Sequence, residues 1–163
     1  MHKPPRMGSI ESLKGSLRLC VAQRITLYCP VSRDAWLALL AGDTARLEQD
    51  PSVAPLFKTL RAHAEFGALG PYRNVYEVSG GHESFTPNSE ARPALGTAGE
   101  TSTSASIVVT TYVAQAVSDA RLAELVAALA ASHPWELPVI EVCEVRVLAP
   151  TTLEPVDNST AAV

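Results

Sequence analysis

Cysteine is scarce in this 163-residue chain: Cys20, Cys29 and Cys143 are all it has, and no C-x-x-C spacing joins them. An odd count so widely spaced supports neither a disulfide framework nor a zinc knuckle, and it fits a reducing compartment. Long apolar runs are missing too. No stretch approaches the ~18 to 20 residues that cross a bilayer, and no apolar secretory segment follows the N-terminal basic residues. We therefore expect neither membrane insertion nor secretion. Positive charge is limited to 13 Lys and Arg against 17 Asp and Glu, a formal net charge of -4. Phosphate backbones are bound by clustered cations that release counterions, so nucleic acid is not an expected partner. Catalytic signatures are lacking as well. No G-x-S-x-G elbow surrounds a serine, and Gly80-Gly81 alone is too short to cradle a phosphate. With no convergent nucleophile, base and acid, we expect a non-enzymatic protein.

What the chain does have is 47% hydrophobic residues against 18% charged, enough apolar material for one core in one domain. Its ends differ from its middle. Residues 1–23 mix Pro, Gly, Ser and Lys without periodicity, and residues 150–163 are polar and bracketed by prolines. Both read as flexible tails around a folded part at 24–149. Lys3, Arg6, Lys14, Arg18 and Arg24 face Glu11 as the sole acid of the first 24 residues. This bias resembles a mitochondrial presequence and is equally common in disordered tails; the second case leaves the protein cytoplasmic.

Within the folded part, RITLYCPV alternates apolar and polar residues as a half-buried strand does, and Pro30 closes it. SRDAWLALLAGDTARLEQD follows with Ser32 as N-cap, apolar residues at helical spacing and Pro51 as a stop, which predicts a first helix ending near Asp50. PLFKTLRAH predicts a short further helical piece. GALG at 67–70 is a turn, and YRNVYEV at 72–78 is a candidate strand. Residues 79–105, with Gly80-Gly81, prolines and TAGETSTSAS, predict a long exposed loop of the kind that is functional or disordered. SIVVTTYVAQ at 106–115 is β-branched and apolar on both faces, as a central strand is. SDARLAELVAALAAS repeats leucine at i, i+3 and i+7 behind a Ser118 or Asp119 cap, the clearest helix in the chain. VIEVCEVRVL at 139–148 reads as a strand whose apolar parity slips, which requires either a bulge or cover on both faces. The order strand, helix, strand, strand, helix, strand predicts an α+β, ferredoxin-like βαββαβ fold. In it a four-stranded antiparallel sheet carries two main helices on one face, with the first and third strands central.

Between the second helix and the last strand stands SHPWELP, residues 132–138. A helix followed by HPWELPVIEV resembles the HPYE segment of the CutA and PII-like superfamily, most closely the YqfO-like domain found inserted in Nif-three-like proteins. FGALGPY at 66–72 resembles that family's Gly-x-x-Gly-x-Tyr turn, and Phe85-Thr86-Pro87 with Pro93 and Gly96 resembles its Phe-x-Pro…Pro-x-x-Gly loop. The matches span roughly 24–148. Departures are the extra segment at 51–64 and Trp135 in place of tyrosine. The metal-binding hydrolase-like part of the full Nif-three-like proteins has no counterpart, so the resemblance carries no enzymatic activity over. It implies a homotrimer that binds a small molecule or ion in clefts between subunits, with residues 79–105 as the responsive loop that meets small-molecule or protein partners. The ligand contacts it implies are His133, Trp135, Glu136, Tyr72 and Phe85. The CutA side of the resemblance implies instead a divalent metal ion held by His133, Glu136 and His82; the identity of any cofactor stays open.

The residues themselves constrain these readings. A helical H-x-x-E pair would ligate a metal from one face, but Pro134 lacks the amide proton and biases His133 away from helical geometry, so a ready-made helical pair is excluded. The corner is then either a helix stop in which Trp135 packs and Glu136 accepts hydrogen bonds, or a ligand contact. His63, His82 and Glu83 are further polar candidates, which join His133 only if their loop folds back. Cys29 and Cys143, on strands one and four, are expected to be small core residues.

Overall fold

The computed structural model describes residues 17–150. Four strands form one antiparallel sheet: β1 (Leu17–Pro30), β2 (Tyr76–Phe85), β3 (Ser102–Ala114) and β4 (Ile140–Pro150), in the order β2-β3-β1-β4. Four helices are described, α1 (Arg33–Leu40), α2 (Thr44–Glu48), α3 (Ala54–Ala62) and α4 (Asp119–Ala131). The expected N-terminal tail is corrected here, because Leu17 to Gln23 belong to β1. Their partners are supplied by β4, whose register runs without interruption from Leu17↔Pro150 to Leu27↔Ile140. The rest of the expected tails, residues 1–16 and 151–163, lies outside the described residues.

The core lies on the face of β1 and β3 that carries Ile25, Leu27 and Cys29 opposite Thr111, Val109 and Ile107. Ala35, Leu47, Phe57 and Leu125, one from each helix, are buried in the same cluster. Fully burying a Leu or Phe side chain contributes roughly 1.5–3 kcal/mol. That burial, not intrinsic propensity, holds a 13-residue helix such as α4, since isolated helices of this length are marginal in water. Ser118 caps α4 by accepting the Arg121 amide at 3.3 Å. Ser32 likewise caps α1 by accepting the Ala35 amide at 3.1 Å. Its hydroxyl also donates to Asp50, which ties the start of α1 to the segment after α2. The single helix expected over 32–50 is in fact two, because Gly42 adopts a left-handed φ of 72° and Asp43 starts a new helix by capping the Arg46 amide at 3.0 Å. The piece expected near 55–63 is α3.

The largest correction concerns residues 79–105. β2 continues through Gly80-Gly81 to Phe85, and β3 starts at Ser102, so only 86–101 connect them. Gly80 pairs with Ile107 in β3, and the Trp36 indole of α1 fills the space where its side chain would be. A Cβ there would meet the ring at 2.7 Å. Gly80 is an adaptation of a strand to a tryptophan, and neither glycine makes a turn. The parity slip in β4 is likewise not a bulge, since the register is continuous. Ile140 and Val142 lie across from Leu27 and Ile25, while Cys143, Val145 and Val147 alternate on the other face.

Gly67 fixes the approach to β2. It has φ 64°, its amide donates to the Tyr112 carbonyl at 2.8 Å and its carbonyl accepts the Val75 amide at 3.1 Å. A Cβ at this position would overlap the backbone of Val75. Gly67→Ala should therefore lower unfolding stability by about 2 kcal/mol or more, as a lower urea midpoint with an unchanged slope will show.

Candidate functional site

α4 ends at Ala131 with Ser132 as its C-cap, and the chain turns at His133. The imidazole is buried against the sheet. Its Nε2 lies 2.9 Å from the carbonyl oxygen of Tyr28, and its Nδ1 lies 3.0 Å from the backbone nitrogen of Trp135. A carbonyl can only accept and an amide N–H can only donate, so the ring is neutral with its proton on Nε2. Tyr28 follows Leu27, where β1–β4 pairing stops. His133 thus serves the next carbonyl of a central strand with a side chain in place of a strand. Burial pushes its pKa below the ordinary 6.5, against smaller upward contributions from the Tyr28 hydrogen bond and the Glu83 charge.

The turn directs Trp135 toward β2. Its Nε1 donates to Glu83 Oε2 at 3.0 Å, and the same oxygen accepts the Ser106 hydroxyl of β3 at 2.9 Å. The Trp135 and Phe85 rings meet edge to face, with centroids 5.3 Å apart, a favoured aromatic geometry. Glu136, on the surface, accepts the Arg92 amide at 3.0 Å and so ties the 86–101 loop to the corner. Together these groups wall a cleft of about 410 Å³, with Phe85, Pro87, Pro93, Trp135 and Val139 on its apolar sides and Glu83 and Glu136 at its polar ones. Its size falls within the ~300–1,000 Å³ typical of small-molecule sites.

Three of the five expected ligand residues, Phe85, Trp135 and Glu136, meet in this cleft. His133 stands behind it as a support. Tyr72 does not join them; it lines a separate hollow with Arg73, Glu48 and Phe57. The expected metal set is not assembled. Both His133 nitrogens are engaged, the His82 ring packs on Trp36 at 5.1 Å, and Glu136 reaches toward Arg92. Among the described residues, no group of three or more His, Cys, Asp or Glu side chains is placed to hold a metal ion. Cys29 is fully buried, and burial, with Glu83 adding to it, pushes its thiol up to about 12. Cys143, expected in the core, is only half-buried and pairs across the sheet with Arg24.

From the sequence Glu83 stands only as a loop residue, and nothing there marks Ser106, Arg92 or Val139. The alternation of Glu83 with Phe85 was the available signal, hidden by the preceding glycine pair. No helix among the described residues is long and apolar enough to cross a membrane.

Against known proteins, no family model matches the chain, and no curated protein matches it. A solved structure, a Bacillus cereus protein related to NIF3, superposes on 82% of this chain with a TM-score of 0.52 at 14% sequence identity. The match spans 28% of that protein's length, and likeness at this identity concerns the fold alone.

The His133 geometry sets a pH dependence. An imidazole whose pKa is lower folded than unfolded favours the folded state fully above the unfolded value, and that stability is lost as the pH falls from about 6.5 through the folded value. His133→Ala should cost about 1–3 kcal/mol at neutral pH, because a buried carbonyl and amide lose their partner. It should also remove the part of the stability slope below pH 6.5, as urea melts at a series of pH values will show.

Proposed function

We propose that this chain is a non-enzymatic PII-like module, YqfO-like in its details. In this reading it is homo-oligomeric, a trimer by family resemblance, and binds a small molecule in the cleft beside Trp135 to regulate a partner. The strand order β2-β3-β1-β4, with a helical layer sharing one core, supports a ferredoxin-like fold. The observation that carries the ligand reading is the cleft: three stretches distant in sequence, Glu83–Pro87, Ala91 with Pro93 and Ala94, and Trp135–Leu137 with Val139, converge on one apolar hollow. A molecule seated there touches the 86–101 loop directly, and that loop takes the place of the responsive loop of PII-like proteins. Ligand occupancy and loop position are then coupled through the Arg92 to Glu136 hydrogen bond.

Two surfaces favour assembly. β1 and β4 run on past the last β1–β3 pair, Ala22↔Ala114, as a two-stranded arm in which Leu19 faces Leu148, exposed by 67% and 64%. Two-stranded ribbons are marginal alone in water, and apposed exposed leucines call for cover. At the cleft rim Leu137 and Val139 are exposed by 84% and 57%, where a neighbouring subunit would close the open side.

Native mass spectrometry and light scattering test the assembly. The expected result is a homo-oligomer at micromolar concentration, and Leu19→Lys with Leu148→Lys should shift it to monomer with an unchanged far-ultraviolet dichroism spectrum. A monodisperse monomer for the unsubstituted protein would overturn this part of the reading.

A further inference from the structure

We infer that the Trp135 cleft selects an organic ammonium ion carrying an apolar body; this rests on the ligand-cleft reading above and gives it a chemistry. The charged side chains lining the cleft are Glu83 and Glu136, and none of its lining residues is basic. Among the described residues, neither carboxylate takes part in an ion pair. Each has one oxygen committed, Glu83 Oε2 to Trp135 and Ser106 and Glu136 Oε2 to Arg92, and no described group bonds the other oxygen. Arg92 meets Glu136 through its backbone amide without lining the cleft or pairing with a carboxylate, so the lining itself is negative and disfavours an anionic ligand.

The remaining lining discriminates between kinds of cation. A hard divalent ion wants about six or more oxygen ligands, and the cleft offers two carboxylates among walls that are mainly carbon. An ammonium group on an alkyl or aromatic frame fits both halves. Its charge meets the free carboxylate oxygens and the Trp135 and Phe85 rings, whose π faces attract cations. Its frame covers the proline and valine walls. Glu136 sits at the exposed mouth and reads charge, while Glu83, already holding Trp135 in place, keeps the aromatic wall upright. A bound ammonium at Glu136 lies next to the Arg92 amide, so the loop tether and the ligand share one carboxylate.

The test compares three molecules with the same phenethyl frame on the full chain: phenethylammonium, phenethyl alcohol and 3-phenylpropionate. Titration is followed by calorimetry and by the amide and indole shifts of Trp135 and the amide shifts of Ala91, Arg92 and Ala94. Phenethylammonium should bind about ten-fold tighter than 3-phenylpropionate, and Glu136→Gln should weaken it about three- to ten-fold while leaving the alcohol unchanged. Glutamine still accepts the Arg92 amide, so the loop stays tethered in the variant. If the alcohol or the carboxylate shifts the same signals with equal affinity, or if Glu136→Gln leaves ammonium binding unaltered, the charge inference is overturned and the cleft remains a ligand site. If none of the three shifts those signals at millimolar concentration, the cleft reading fails along with it.

Discussion

A single imidazole holds the corner on which the rest of the candidate site depends. His133 stands where β1 has run past its β4 partner while still paired with β3, and it makes the Tyr28 carbonyl an anchor for the turn after α4. The ring's second nitrogen then fixes the Trp135 amide. Direction passes outward from there: the amide sets the indole, the indole reaches Glu83, and Glu83 reaches Ser106 on β3. A cation at this position would lose its acceptor for the Trp135 N–H, which is why a buried, neutral histidine suits the place. The same engagement of both nitrogens sets it apart from a metal-ligating histidine, whose other nitrogen is free for the ion.

Glu83 joins two environments of opposite demand. Toward the core it lies close enough to add to the upward push on the Cys29 thiol; toward the surface it lines the cleft. A carboxylate so placed needs donors, and it receives two on one oxygen. The neighbouring loop, in contrast, is held at Glu136 by one backbone bond at an exposed position. A carboxylate with two donors and one with a single donor thus face the same hollow.

How much of this was legible in the sequence depends on how local the cause is. α4 and its Ser118 cap, α3 with its buried Leu56, Phe57 and Leu60, and the apolar third strand follow from spacing alone. The break at Gly42 and the continuation of β2 through Gly80 do not. The same residue type stops a helix in one place and clears room for Trp36 in the other, and only the position of a tryptophan 44 residues earlier in the chain decides between them. The start of β1 is hidden for a similar reason, because Leu17 to Val21 become a strand through β4, at the far end of the chain. At the site, Trp135, Glu136 and Phe85 were visible from their motifs. The hydrogen bonds that separate His133 as a support from Glu136 as a contact were not, since they reach across 105 and 44 residues of sequence.

The β1–β4 arm has one further consequence. Leu17 and Pro150 face each other across a strand pair, and adjacent strands lie only about 5 Å apart. The described unit therefore has its entrance and exit side by side. Spliced into a surface loop of an unrelated carrier, residues 17–150 would ask that carrier to open by little more than the width of a hairpin. Ends that lie this close are the geometry that insertion into a surface loop requires.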